Sequence, residues 1–164
     1  MTVPLMLVDD DPLTLVSLTQ TLRQHLPSVM VEAFADPILA LRRLQERPFA
    51  VVVTDFNMPG IDGFQLLRSA REAGSAASFI VMTGDSTEDM LTEGLRFGMF
   101  GFIDKPLNRV ALITLVQQAV ECHRLRQEVA ELRRTLIEAG TELGGFVRTL
   151  APELEEAFQP PLPY

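Results

Sequence analysis

Val3-Pro4-Leu5-Met6-Leu7-Val8-Asp9-Asp10-Asp11-Pro12 is an apolar run that ends abruptly in three carboxylates and a proline. The apolar half reads as a buried strand. Asp11-Pro12 reads as a helix N-cap followed by proline at the first helical position, where its missing N–H costs nothing. The junction is therefore strand, then acidic turn, then helix. It is also electrostatically expensive, because two unit charges about 4 Å apart repel by roughly 4 kcal/mol at a near-surface dielectric. A fold that gathers such a cluster at the mouth of its sheet calls for a cation to fill it.

The same junction recurs along the chain. The helix after Pro12 carries Leu15, Leu18, Leu22 and Leu26 at helical spacing and stops before Pro27. Val29 to Phe34 reads as a second strand, and Asp36-Pro37 repeats the cap and proline ahead of Leu41 and Leu44. Ala50 to Thr54 is a third strand, apolar throughout as expected when both faces are covered. A third helix spans Gly63 to Ala73, and Phe79 to Met82 is a fourth strand. Ser86 is expected to begin a fourth helix, with Asp89 completing a capping-box-like arrangement. Phe100 to Ile103 is a short fifth strand, and a fifth helix starts after Pro106. Five strand–helix units in succession predict an α/β fold with a doubly wound, five-stranded parallel sheet. Ligands of such sheets bind outside the carboxyl ends of the strands. At those ends stand Asp9, Asp10 and Asp11, then Asp55, then Thr83, then Lys105.

Composition narrows the function classes. The chain has 164 residues, 47% of them hydrophobic, enough for one full core and an appendage. Its net charge of −8 argues against nonspecific nucleic-acid binding, which needs clustered Lys and Arg. Cys122 is the single cysteine, which excludes an internal disulfide framework and fits a reducing compartment. No signal peptide is read at the start, and no run approaches the roughly 18 apolar residues that span a bilayer. A cytoplasmic protein without membrane insertion is the expectation.

The residues at the strand ends suit a phosphorylatable aspartate. A carboxylate can attack phosphorus and form an acyl phosphate. Phosphoryl transfer spreads negative charge over the moving oxygens, so positioning and cationic stabilisation are the main requirements. In this reading Asp55 is the nucleophile and Asp9 and Asp10 hold Mg²⁺, a hard cation that prefers oxygen. Lys105 brings a point charge on a flexible stem, and Thr83 a hydroxyl donor.

Four segments carry a family resemblance: Leu7-Val8-Asp9-Asp10-Asp11-Pro12, Thr54-Asp55-Phe56-Asn57-Met58-Pro59-Gly60-Ile61-Asp62-Gly63, Val81-Met82-Thr83-Gly84, and Gly98-Met99-Phe100-Gly101-Phe102-Ile103-Asp104-Lys105-Pro106. Over residues 3–122 the chain resembles the receiver domain of bacterial two-component response regulators, similar to the single-domain chemotaxis regulator. The resemblance implies a flavodoxin-like strand order 2-1-3-4-5 and a receiver domain over residues 1–123. It implies that Asp55 accepts phosphate from a histidine kinase or phosphotransfer protein. Asp10 would ligate Mg²⁺ directly, Asp9 largely through water, and Asn57 through its main-chain carbonyl. Lys105 would pair with the phosphate, and the Lys105–Pro106 bond would be cis. Thr83 and Phe102 would be the switch, repacking the surface of the fourth helix, fifth strand and fifth helix toward an unknown downstream protein. The protein would then be no enzyme beyond its own phosphotransfer and autodephosphorylation. Gly84, Phe97, Met99 and Phe100 depart from the commonest pattern. The last three are read as extra core packing, or else as an apolar partner surface near Phe102. Asn57 and Asp85 occupy positions that modulate phosphoryl lifetime in the family.

Residues 124–164 continue past the receiver as a helical extension with a proline-rich tail. Ala111, Leu115, Gln118, Cys122, Leu125, Val129, Leu132, Leu136 and Ala139 recur at alternating spacings of 4 and 3, a heptad seam. Leu112, Ile113, Val116 and Val120 form a second stripe that would face the sheet. Gly140 is expected to cap this helix, Thr141 to Leu150 to form a shorter one, and Pro152 to start a further turn. Gln159 to Tyr164 reads as extended. The seam is open to three uses: a homodimer, folding back on the same chain, or a linker to an output domain. Two other functions compete for the whole chain. A haloacid-dehalogenase-type phosphohydrolase would use Asp9 and Asp11, but Leu13 stands where its motif needs Thr or Val, and the Asp55–Gly63 segment goes unexplained. A phosphate-independent scaffold leaves the filled chemical positions without a purpose.

Overall fold

The computed structural model describes residues 2–84 and 86–157, with the side chains of 142–157 excepted. Strands β1 (Val3–Val8), β2 (Val29–Phe34), β3 (Val51–Asp55), β4 (Ser78–Thr83) and β5 (Gly101–Asp104) alternate with helices α1 (Pro12–His25), α2 (Pro37–Glu46), α3 (Gly63–Glu72), α4 (Glu88–Arg96) and α5 (Arg109–Ala157). The strands form one sheet in the order β2-β1-β3-β4-β5, with every pairing parallel. This is the doubly wound fold expected from the alternation of strand and helix.

Apolar runs without polar alternation follow from burial on both faces. On one face, Leu5 and Leu7 of β1 join Val51, Val53, Ile80 and Met82 beneath α1 and α5. On the other, Met6 and Val8 join Val52, Phe79 and Val81 beneath α2 and α3. Leu112, Val116 and Ala119 of α5 are fully buried in the first cluster, with Ile113 and Val120 packed beside them. Met99 lies in the second cluster with Phe97 packed against it, and Phe100 packs on the first. The unusual apolar residues after α4 are therefore core packing.

Local chemistry sets the helix starts. Asp11 accepts from the Leu13 and Thr14 amides, each at 3.1 Å, and from the Thr14 hydroxyl at 2.6 Å. Asp36 accepts from the Ile38 amide at 2.8 Å ahead of Pro37. Asp62 and Gln65 form a reciprocal capping box at α3. The box was legible as Asp62-x-x-Gln65, a signal the reading of the Asp55–Gly63 segment passed over. At α4 the cap is Thr87, not Ser86: the Thr87 hydroxyl accepts from the Met90 amide at 3.3 Å, and the helix begins one residue on. Glu88 and Asp89 then sit in the first turn, where the helix dipole favours acidic side chains.

Further boundaries differ, and β5 runs from Gly101 to Asp104 rather than from Phe100 to Ile103. β3 extends through Asp55 and β4 through Thr83, because the parallel ladders continue to Asp55↔Met82 and Thr83↔Asp104. Polar residues at strand ends hide such pairings from an apolar-run reading. Gly140 is not a cap: α5 runs on through Thr141 and past Pro152 to Ala157. A glycine cap uses positive φ, which Gly60, Gly74 and Gly98 adopt and Gly140 does not. An interior glycine costs only about 1 kcal/mol relative to alanine, whereas an interior proline costs about 3 kcal/mol. Asp85 and the tail Gln159–Tyr164 lie outside the described residues.

The chain divides into two compact units, Met1–His123 and Arg124–Tyr164. No helix among the described residues is long and apolar enough to cross a membrane.

Gly63 is where the fold presses closest on the strand end. A β-carbon there would stand 2.7 Å from the Asp55 carbonyl oxygen and 3.1 Å from the Phe56 α-carbon, both backbone. Gly63→Ala should therefore lower stability by roughly 1–3 kcal/mol, read as an earlier midpoint in urea unfolding. An unchanged midpoint would show that the loop relaxes freely.

Candidate functional site

β1 and β3 are neighbours in the sheet, and their ends bring three carboxylates together. Asp9, Asp10 and Asp55 each place a carboxylate oxygen within 4.8 Å of the others. Asp9 and Asp55 are buried and Asp10 is exposed, so the cluster opens to solvent on one side. Asp11, next in sequence, turns away to cap α1. Its hydrogen bonds to the Thr14 hydroxyl and to the Leu13 and Thr14 amides hold its carboxyl below the ordinary range.

Lys105 reaches the cluster from the end of β5. Its Nζ lies 2.8 Å from Asp55 Oδ1 and 3.7 Å from Asp9 Oδ2. Burial works to lower its pKa. The hydrogen bond and charge of Asp55, with Asp9 and Asp10 adding, outweigh burial and hold the ammonium above its usual value. The Lys105 amide donates to the Thr83 carbonyl at 2.7 Å, which anchors the base of the side chain to β4. The Lys105–Pro106 peptide is cis.

Asp9 is the strained member. Its Oδ1 accepts from the Asp11 amide at 2.9 Å. Its Oδ2 is buried without a hydrogen-bond donor. Burial raises its pKa above the ordinary carboxylate value; the Asp11 amide and Lys105 oppose the rise, and Asp55 and Asp10 add to it. An orphaned buried carboxylate oxygen beside two more carboxylates is a donor set suited to a hard divalent cation. The residues fit Mg²⁺.

The other predicted residues stand around this centre. Thr83 is the buried last residue of β4, one past the residue paired with Asp55. Asn57 is exposed in the loop two residues after Asp55. That loop turns at Gly60, whose φ of 91° a side chain would disfavour. Phe102 on β5 is 38% exposed and lines an open groove with Ala111, Leu115 and Gln118 of α5. Sequence reasoning missed Arg71. It donates to the carbonyls of Ser75 and Ala77 at 2.8 Å and of Gly98 at 3.0 Å, tying the loop before β4 to the loop before β5.

A parallel doubly wound sheet with three carboxylates and a lysine at its carboxyl edge defines a class: an α/β domain with an acidic pocket at the rim of its sheet. Comparison with known proteins identifies the family. Residues 5–117 match the model of the response regulator receiver domain, and the chain belongs to that family. It is 36% identical over 135 residues to the C4-dicarboxylate transport transcriptional regulatory protein of Pseudomonas aeruginosa, covering 81% of this chain and 28% of that protein. It is 30% identical over 135 residues to a sensor protein of Escherichia coli O157:H7, covering 82% of this chain and 11% of the sensor. The chain thus spans little more than a quarter, or less, of these relatives. Among solved structures it resembles the chemotaxis response regulator CheY4 of Vibrio cholerae at 26% identity, with a TM-score of 0.65 over 73% of this chain and 99% of that one. The BeF3-activated receiver domain of DrrB is equally similar, at 26% identity and a TM-score of 0.66 over 74% and 99% of the two chains.

The burial penalty on Asp9 has a measurable sign. A carboxyl whose folded pKa is raised contributes stability fully below its ordinary value of 3.8, and loses it as pH rises through the folded value. In chelated, metal-free buffer at neutral pH, Asp9→Asn should raise the melting temperature by about 2–5 °C. The difference from the parent should shrink as pH falls toward 3.8. A lower melting temperature for the variant at pH 7 would reject the assignment of Asp9 as a desolvated charge.

Proposed function

We propose that this receiver domain is a phosphorylation-controlled switch whose phosphoacceptor is Asp55. The observation that carries the reading is the buried Asp55 carboxylate held 2.8 Å from Lys105 Nζ, beside two further carboxylates that fit a divalent cation. An ordinary ion pair would not need Asp9 and Asp10 so close.

The chemistry follows from that placement. A carboxylate oxygen of Asp55 forms a bond to phosphorus as the phosphorus–nitrogen bond of a phosphohistidine breaks, and the imidazole nitrogen keeps the electron pair. The product is an acyl phosphate on Asp55. Asp9, Asp10, Asp55 and the main-chain carbonyl of Asn57 would hold Mg²⁺, which offsets the negative charge of the phosphoryl oxygens when bound. Lys105 stays protonated and pairs with a phosphoryl oxygen in place of the Asp55 oxygen it now holds. Thr83 donates its hydroxyl to the phosphoryl group, and Phe102 turns from its half-exposed position toward the core. Those two movements repack the face formed by α4, β5 and α5, a two-state element biased by a local charge change.

The protein on this reading signals rather than turns over a substrate. Its partners are a histidine kinase or phosphotransfer protein upstream, a protein downstream, and a second copy of the chain through α5. It works in the bacterial cytoplasm, with residues 1–123 as the receiver and 124–164 as the extension. A relative solved in a BeF3-activated form supports the switch, because that form is described as active.

Incubation with Mg²⁺ and radiolabelled acetyl phosphate, or with a phosphorylated histidine kinase, should label the chain. Chelation should abolish the label, as should Asp55→Ala. Lys105→Ala should retain Mg²⁺ affinity but lose most of the switch in α4–β5–α5 amide shifts. Equal labelling of Asp55→Ala and the parent would overturn the site.

A further inference from the structure

We infer that the extension of α5 pairs with a second copy of the chain as a parallel, in-register two-stranded coiled coil. The inference deepens the self-association assigned above and is independent of phosphoryl transfer at Asp55.

The heptad seam gives the register. Cys122, Val129 and Leu136 fall at a, and Leu125, Leu132 and Ala139 at d. β-branched Val at a between Leu at d favours two parallel strands. These seam positions are open: Leu125 is 48% exposed, Val129 50%, Leu132 63% and Leu136 71%. Large apolar side chains left in water at alternating 3 and 4 spacing form an unpartnered stripe on one helix face. Ile137, at b, is exposed outside it. The apolar spacing continues in the sequence through Leu143, Phe146 and Leu150.

Charge selects the occupant. Glu121 and Glu128 are at g, and Arg126 and Arg133 at e. In a parallel, in-register pair each g position faces the e position five residues on in the other helix. Glu121 then meets Arg126 of the second copy, and Glu128 meets its Arg133, in both directions. An antiparallel pair would set g against g and e against e, which opposes Glu to Glu and Arg to Arg. A shift of one heptad would forfeit one charge match on each side and a heptad of seam. Within one helix Glu128 pairs with Arg124, and Arg134 pairs with Glu138 at 3.0 Å. The Arg134–Glu138 pair lies on the outer face, whereas Glu128 is at g and exchanges Arg124 for Arg133 of the second copy on pairing.

The single cysteine makes the register directly testable. In-register pairing sets the two Cys122 residues opposite each other. Diamide then oxidises two thiols to one disulfide and is itself reduced to the hydrazine. The full chain at tens of micromolar should sediment as a dimer, and diamide should convert it to a covalent dimer that Cys122→Ser does not form. Cys122→Ser should remain a non-covalent dimer, and so should Asp55→Ala. The Arg126→Glu/Arg133→Glu chain should dimerise at least about tenfold more weakly, with the receiver melt unchanged. Mixing it with the Glu121→Arg/Glu128→Arg chain should restore the dimer. A monomeric parent, as for folding back or a linker to another domain, would overturn the pairing. A dimer that diamide does not cross-link would overturn the parallel register.

Discussion

Everything at the functional edge of this fold depends on one constraint: three carboxylates within 4.8 Å must be tolerated in the folded chain. Lys105 is the answer the chain carries within itself. The sheet order places β4 between β3 and β5, so Lys105 must reach past a whole strand to touch Asp55. Strands lie about 4.8 Å apart, so β5 is roughly 10 Å from β3. A four-carbon stem rooted by its amide on the Thr83 carbonyl, the Asp55 side chain reaching toward it and the 2.8 Å contact between them together close that gap. The ammonium satisfies Asp55 at 2.8 Å but stays 3.7 Å from Asp9, so one buried oxygen remains without a donor. The internal counter-charge is therefore incomplete.

The crossover topology explains why the cluster can exist. Each right-handed crossover returns the chain to the same edge, so the carboxyl ends of five strands accumulate at one rim. The apolar runs on both faces make that rim rigid. Gly63 lets the loop after β3 close tightly over the Asp55 carbonyl, and Arg71 ties the two loops at the opposite edge of the sheet. The site is held by backbone packing on several elements rather than by contacts among its own acidic side chains, which repel one another.

Most of this was legible in the sequence, and what was not has physical causes. The parallel doubly wound sheet and the placing of Asp9, Asp10, Asp55, Thr83 and Lys105 at strand ends followed from the repeated apolar run, polar turn and helix, whereas the strand order came from the family resemblance. Asp11 separated from its neighbours because Asp-Pro is a helix start. Boundaries failed where hydrophobicity carries no information: Asp55 and Thr83 are polar yet belong to strands, because the ladder is made by backbone groups. The Ser86-to-Thr87 shift arose because two adjacent hydroxyl residues are equally good caps on paper. Gly140 misled because glycine ends a helix only where a positive φ is adopted, and that choice belongs to the tertiary structure. Arg71 has no motif at all, since its partners are backbone carbonyls, one of them Gly98 from a loop distant in sequence.

α5 joins two kinds of helix in one element. Its first turns are amphipathic toward the sheet, with Leu112, Val116 and Ala119 fully buried. The heptad seam runs on a different face and starts at Ala111 and Leu115, which line the groove beside Phe102. Leu115 already packs over Gly101, where a β-carbon would meet its methyls at 2.9 and 3.0 Å. One position of the seam is thus engaged by β5 within the receiver. A repacking of Phe102 would act on Leu115 and Gln118 without any long-range path, because they share that groove. The first positions of the seam are thus part of the receiver's own packing, and the exposed leucines and valine of the later heptads are not.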